Sequence, residues 1–524
     1  MKRLFVIFMI AVLLLFLVAC EGSQIIEENS VKVEDEELLI NGQLSIACVE
    51  PINFNPIKVS NKSYLDISDL IFNGLFEYDK SKKVIPVLAK KIDIDRNTGK
   101  SIVKLRDDIF WSDGNKVTSD DVKFTLDTIK KNADSIYIEN IDKIQSYKVI
   151  DAETLSINFV KPYFNLLDRL CFPIIPKHIY TLYDDFLPVG TGPYKVTDYK
   201  KLKFMELKPN KYYWEDKDFG IEQIKVIFVD DAQALDPFFQ SGEIDVLHAS
   251  SYDWEKYKEQ KDISTYKYIS DGFEFISINH DNELLSDKAV RQAMMYAINR
   301  KAIADKHLLG HAVVTDTPIK PDSWLDDGQG IKYNYSKTEA QYILSNAGFS
   351  FNSISKAFER ELEGKTQVLR FTLITNVENN YRVKAAEDIK KGLEEAGYII
   401  DLKIVPFDEV QKTLESKKYD LVLTGMNIKQ GLVLDGENYA SYINEEFDLL
   451  IEEMITKQNS PDILPLVYNK IQKIIREDLP IISLFYKEYA LVTRSKLRGI
   501  IEPDSMNLFR TIGDWYLVKE KNSQ

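Results

Sequence analysis

Cys20 closes an apolar run that begins at Leu4; Lys2 and Arg3 precede the run and Leu17-Val18-Ala19 stand directly before the cysteine. Small residues before a cysteine are what a membrane-embedded peptidase needs to seat a chain whose thiol has been alkylated with diacylglycerol. Charged start, apolar core and cysteine in this order predict a lipoprotein signal, with residues 1–19 removed and Cys20 lipidated as the mature N-terminus. A membrane-spanning anchor is the alternative, but the run is shorter than the roughly 20 apolar residues that cross a bilayer, and acidic sequence comes directly after it. Two acyl chains hold where one is marginal. The rest of the chain is therefore expected outside the cytoplasmic membrane, tethered to its extracellular or periplasmic face.

Other residues with reactive chemistry point away from catalysis. Two cysteines remain, Cys48 and Cys171; buried thiols are the expectation, with a disulfide the alternative that an oxidising compartment permits. Only His307 and His311 share a helical face by spacing, Gly310 lies between them, and no carboxylate sits at a matching turn, so no metal site is expected. The carboxylates of Trp111-Ser112-Asp113-Gly114 and Thr118-Ser119-Asp120-Asp121 read as a turn former and a helix cap. There is no Gly-x-Ser-x-Gly elbow, P-loop or glycine-rich dinucleotide turn, so neither an enzyme nor a bound cofactor is expected.

The elements that would position a site belong to a large globular body. With 524 residues, 44% hydrophobic and 28% charged, length suggests two to four domains. The formal charge of −15 becomes −17 once Lys2 and Arg3 are removed, which disfavours nucleic acid or an anionic lipid surface as the main partner. Residues 20–37 read as a lipid-anchored, acidic, flexible tether; from Leu38 to about Leu517 no Pro/Ser-rich linker interrupts the pattern. Helix starts are marked at Thr118, Ser336 and Ser460-Pro461. The stretch 368–426 reads as strand (Val368–Thr375), helix (Asn380–Ala396, stopped by Gly397), strand (Ile399–Val405), short helix (Asp408–Glu415) and strand (Tyr419–Thr424). That is the grammar of a parallel α/β sheet, in which ligands collect beyond the carboxyl ends of the strands. Here those ends are 375–382 and 425–435.

An ordered series of short motifs carries a resemblance. It runs Asn73-Gly74-Leu75-Phe76-Glu77, Ile85-Pro86-Val87-Leu88-Ala89, Leu105-Arg106-Asp107-Asp108-Ile109-Phe110-Trp111-Ser112-Asp113-Gly114, Gly190-Thr191-Gly192-Pro193-Tyr194, Asn210-Lys211-Tyr212-Tyr213-Trp214, Gly242-Glu243-Ile244-Asp245 and Ala289-Val290-Arg291-Gln292-Ala293 through Asn299-Arg300. The series resembles the extracellular solute-binding proteins of the peptide and nickel class, receptors of dipeptide and oligopeptide ABC importers. The resemblance implies a two-lobed periplasmic-binding-protein-like α/β fold with an extra α+β subdomain. It implies a discontinuous first lobe (38–62, 187–278 and 498–524), a subdomain at 63–186 and a second lobe at 279–497. Crossings between lobes are expected at Phe275–Asn279 and Arg494–Gly499.

The resemblance further implies a monomeric receptor that holds an oligopeptide or other small solute in the cleft between lobes and passes it to an ABC permease and its ATPase. Peptide receptors of this kind usually carry Trp-Asp after the strand equivalent to Tyr419–Thr424, the aspartate pairing with the peptide amine. This chain has Gly425, Met426, Asn427, Ile428 and Lys429 there, so the acidic role falls to Asp435 or to no residue. Arg382 is the candidate for a ligand carboxylate. Thr375 lies at the first strand's end, Asn55 of Asn55-Pro56 resembles the family's turn near the ligand, and Trp111 lies in a subdomain motif. The alternatives are a receptor for a nickel or other metal chelate, an oligosaccharide or an opine, and a signalling lipoprotein for peptide pheromones.

Overall fold

The computed structural model describes residues 42–95, 97–160, 166–180, 187–250, 252–428, 440–457 and 463–519. Cys20, the tether, Lys429, Asp435 and Ser460-Pro461 lie outside the described residues. No helix among the described residues is long and apolar enough to cross a membrane.

Three larger sheets organise the molecule. The first runs in the order Gln43–Val49, Gln223–Val229, Phe204–Pro209, Tyr194–Lys200, its outer pair parallel from Gln43 opposite Gln223 to Val49 opposite Val229. Alternation along Gln43–Val49 turns Leu44, Ile46 and Cys48 inward. Cys48 is a buried free thiol whose pKa burial pushes up, while the thiol of Cys171 donates to the Leu167 carbonyl at 3.5 Å. The second sheet, in the order Ala89–Asp95, Lys100–Leu105, Thr154–Phe159, Ile144–Asp151, is antiparallel. Beside it packs the helix Ser119–Lys131, whose capping box closes between Thr118 and Asp121 and whose Val122, Leu126 and Ile129 are buried. One apolar core joins these two sheets and takes in Trp111, Tyr194 and Trp515, so residues near both ends of the described chain pack together.

The third sheet holds the long-range organisation. Its order is Val246–Ala249, Ile481–Arg494, Ile263–Ile278, Leu421–Asn427, Arg370–Asn376, Ile399–Val405, with Ala312–Val314 also paired to Ile481–Arg494. Arg370–Asn376 is parallel to both its neighbours, as the strand-helix-strand pattern of 368–426 predicts. The two long strands enter antiparallel, however, which makes the sheet mixed. They arrive from the other half of the molecule and return to it, and this return sets their direction.

These two strands, Ile263–Ile278 and Ile481–Arg494, pair with each other along almost their whole length. At one end Val246–Ala249 flanks the pair; at the other Leu421–Asn427 does. The register shifts between Ile269 and Phe273, where the neighbours change. Such an irregularity bends a ribbon and increases its twist. The exchange lies upstream of Phe275–Asn279 and before Arg494–Gly499, the segments the sequence singles out as crossings. The ribbon thus links the Val246–Ala249 side of the sheet with the Leu421–Asn427 side, and beyond it comes a hairpin of Leu497–Gly499 and Trp515–Leu517.

Candidate functional site

Because Leu421–Asn427 and Arg370–Asn376 are parallel and run opposite to Ile263–Ile278, their carboxyl ends point toward the end of the ribbon that Val246–Ala249 flanks. The two parallel strands pair only at Leu373 with Leu421 and Ile374 with Val422. Beyond that they part, and the Thr375 hydroxyl, fully buried, donates to the Leu423 carbonyl at 3.1 Å. The edge of Leu423–Asn427 that faces away from Ile263–Ile278 has no ladder partner among the described strands past this point. Met426 is 44% exposed and Asn427 is exposed. A strand end with open main-chain groups is a template for an extended chain.

Charges gather at this strand end. The helix Asn380–Ala396 begins with Asn379 capping the Arg382 N–H, and Arg382 reaches back over Gly425. Its Nε donates to Glu274 Oε2 at 2.8 Å, its Nη2 to Glu274 Oε1 at 3.2 Å and its Nη1 to Asn376 Oδ1 at 3.1 Å. Lys487 Nζ lies 2.6 Å from the same Glu274 carboxylate and 5.1 Å from the Tyr381 ring centroid. Glu274 is almost wholly buried. Thr375, Arg382, Gly425, Met426 and Asn427 are therefore brought together.

On the other side of the exchange point lies a hydrogen-bonded network. Asp66, on the helix Lys62–Ser68, pairs with Lys62 one turn back and lies 3.2 Å from Nδ1 of His248. Nε2 of His248 is 2.7 Å from the Tyr268 hydroxyl. With Nδ1–H donated to Asp66, Nε2 is left to accept from the tyrosine. Burial raises the Asp66 carboxyl, but hydrogen bonds and charge from His248 and Lys62 bring it below its ordinary value. Tyr268 meets Tyr489 edge to face. Burial raises the Tyr489 hydroxyl above the usual tyrosine range, and the nearby charges of Glu274 and Asp271 add to this, which joins this network to the strand-end charges.

A third cluster ties the sides together. The segment 315–333 is anchored by Arg300 on Asp316 at 2.7 Å and by Arg476 on Asp327. It reaches the ribbon and the 498–519 segment through buried Lys320, whose Nζ is 2.9 Å from Asp271 and 2.7 Å from Ser505. Asp322 lies 3.6 Å from the equally buried Lys82, which is 3.5 Å from Asp504, and the Trp324 backbone N–H donates to the Ser81 carbonyl at 2.9 Å.

Asn55 and Trp111 are placed elsewhere. The Asn55 side chain accepts from the Ile57 N–H at 3.0 Å and so closes its own turn, and Trp111 is enclosed in the first core. His307 and His311 diverge, toward Asp388 at 2.7 Å and Glu255 at 2.5 Å. Sequence reading missed Glu274, Lys487, Asp66, His248 and Tyr268. The one signal was Glu274 itself, a carboxylate inside the apolar run Phe273 to Ile278.

Comparison with known proteins fits this geometry. Residues 83–442 match the family model described as bacterial extracellular solute-binding proteins, family 5 middle. The oligopeptide-binding protein AppA of Bacillus subtilis is 26% identical over an alignment covering 99% of this chain and all of AppA. Two solved structures share the two-lobed fold. NikZ from Campylobacter jejuni in complex with Ni(L-His) has a TM-score of 0.62 at 25% identity, covering 90% of this chain and 99% of NikZ. AppA from Bacillus subtilis in complex with a nonapeptide has a TM-score of 0.62 at 22% identity, covering 92% of this chain and all of AppA. The chain belongs to the bacterial extracellular solute-binding proteins, family 5.

Proposed function

We propose that this protein is the substrate-binding lipoprotein of an ABC importer, which captures oligopeptides outside the cell and delivers them to a membrane permease and its ATPase. The observation that carries the reading is the main-chain edge at Thr424–Asn427, left without a second ladder partner among the described strands and facing the first-lobe side across a bent two-strand ribbon. An extended peptide can add to that edge as a strand, and movement about the ribbon can enclose it. Likeness to the oligopeptide-binding AppA supports the same ligand class. In this reading the first lobe comprises 38–62, 187–278 and 498–524, the subdomain 63–186 and the second lobe 279–497. The protein works as a monomer held at the cell membrane through lipidated Cys20, with Asn427 and Met426 against the ligand and Asp435 as the remaining candidate for its amine.

The deciding experiment is native mass spectrometry of the soluble form beginning after Cys20, combined with identification of the small molecules it releases on denaturation. A ladder of peptides of similar length is the expected result. A single non-peptide mass, or an empty protein that no peptide library stabilises against heat, would overturn the reading. A metal chelate is the second reading, favoured by likeness to NikZ, which was solved with Ni(L-His).

A further inference from the structure

Glu274 raises a question of charge. An isolated carboxylate in a dry strand is expensive and persists only where it is paired and hydrogen-bonded. Glu274 receives a two-point contact from Arg382 and an ammonium from Lys487, 2.6 Å away. A planar guanidinium meeting both oxygens of a carboxylate, with a lysine alongside, is the arrangement that binds the free carboxyl end of a small molecule. Here both partners come from the protein. Arg382 is further spent on Asn376 at 3.1 Å.

Gly425 makes the arrangement possible. It stands opposite Glu274 in register, and a Cβ there would lie 2.4 Å from Nη2 of Arg382 and 2.9 Å from the Glu274 carboxyl carbon. Only a residue without a side chain lets the guanidinium cross the strand at this height. The triad therefore sits at the carboxyl end of the parallel strands, next in sequence to exposed Met426 and Asn427, at the edge proposed above to hold the ligand.

We propose that Glu274 is a specificity-determining residue: it stands in for a ligand carboxylate, so this wall reads no free carboxyl terminus and admits peptides whose chain continues past Gly425. The corresponding substrate class is the longer or carboxyl-blocked peptide, held by its main chain, in preference to short ligands fixed by a terminal carboxylate. This rests on the peptide reading above.

The test uses one peptide prepared as free acid and as carboxyl-terminal amide, with both affinities measured calorimetrically. Wild type is expected to bind the two within about threefold. Glu274→Ala, which leaves Arg382 and Lys487 without their anion, is expected to bind the acid about tenfold or more tighter than the amide, the yield of a regained charged contact. Glu274→Gln keeps the volume and is expected to shift the ratio in the same direction by less. Thermal unfolding of Glu274→Ala with and without acetate supplies a readout that needs no peptide: acetate should raise the midpoint of this variant and leave wild type unmoved. A wild type that itself prefers the acid tenfold, or a Glu274→Ala protein with an unchanged ratio, overturns the inference while leaving the peptide reading intact. A folded wild type that binds neither peptide overturns the peptide reading and with it the substrate class inferred here; acetate stabilisation of Glu274→Ala then keeps only Glu274 as an internal anion, and its absence removes that as well.

Discussion

The two faces of the ribbon formed by Ile263–Ile278 and Ile481–Arg494 are built from opposite materials. On the front, Tyr268 and Tyr489 are joined to His248 and Asp66 by a chain of hydrogen bonds and ring contacts. On the back, Leu247, Ala490 and Val492 form a small apolar cluster with Trp254. Trp254 packs against His311 with the rings tilted and their centroids 3.8 Å apart. Trp254 belongs to the segment before Ile263 and His311 leads into Ala312–Val314, so this contact joins segments that flank the ribbon on either side of the bend. Polar groups can trade one partner for another at little net cost, whereas a packed ring pair loses its dispersion contacts once parted. In the proposed closure the front would exchange its bonds for those of a ligand, and the back would serve as the fulcrum.

The largest expected effect comes from the back. Trp254→Ala should cost about 3–5 kcal/mol of stability, the loss typical of a large buried aromatic, read by urea unfolding, with ligand affinity per folded molecule changed far less. If affinity fell as steeply as stability, the assignment of fulcrum and site would be wrong. On the front, Asp66→Asn removes the anion serving Lys62 and His248 and should cost about 1–3 kcal/mol. The Asp66 carboxyl titrates below its ordinary value of about 3.9. Its contribution is therefore complete above the unfolded value and lost as pH falls through the lower, folded one. Midpoints measured from pH 6 down to 2 should show a shallower acid limb in Asp66→Asn.

Tyr268→Phe deletes one hydrogen bond and should cost about 1 kcal/mol, with the Tyr489 contact kept. The smallest effect is a pH dependence at the back. Burial holds His311 below the usual imidazole value, against the pull of Glu255 and Glu488 and with the help of Lys258. The unfolded chain then takes up the proton first, so stability falls as pH drops from about 6.5 toward the folded value. His311→Gln should flatten that segment of the curve, and Trp254 fluorescence in the folded range should track the same titration in wild type only.

Local structure was legible where neighbours in sequence decide it. The helix Asn380–Ala396 with its Gly397 stop and the strand Ile399–Val405 have the predicted bounds, since cap chemistry and apolar spacing lie within the segment itself. Arg370–Asn376 and Leu421–Asn427 begin two residues later than the sequence suggests and end one and three residues later. The extra length includes the open edge, where the chain stays extended without a second neighbour. Of the site, the strand ends were legible from the α/β grammar, and Arg382 with them. Its partner was not: Glu274 lies 108 residues away, on a strand whose role as a two-sided ribbon depends on pairing with Ile481–Arg494. Nor could a left-handed lysine at the tip of a turn, Lys82 at φ 66°, be read as a buried cation between Asp322 and Asp504.

The parallel pairing of Gln43–Val49 with Gln223–Val229, and the packing of Trp515 into the same core, have a consequence for assembly. The antiparallel sheet of 89–159 and the strands of 370–427 draw on continuous stretches and can form once those stretches are available. The core around Gln43–Val49 cannot: its contributions from Gln43–Val49, Gln223–Val229 and Trp515 are separated by long detours, and loop closure must be met before any of its contacts reward it. The body made from the earliest residues is thus the last to be sealed, by the hairpin of Leu497–Gly499 and Trp515–Leu517. A chain stopped short of Trp515 would leave an open apolar seam in that core, the kind of species that aggregates or is cleared by proteases.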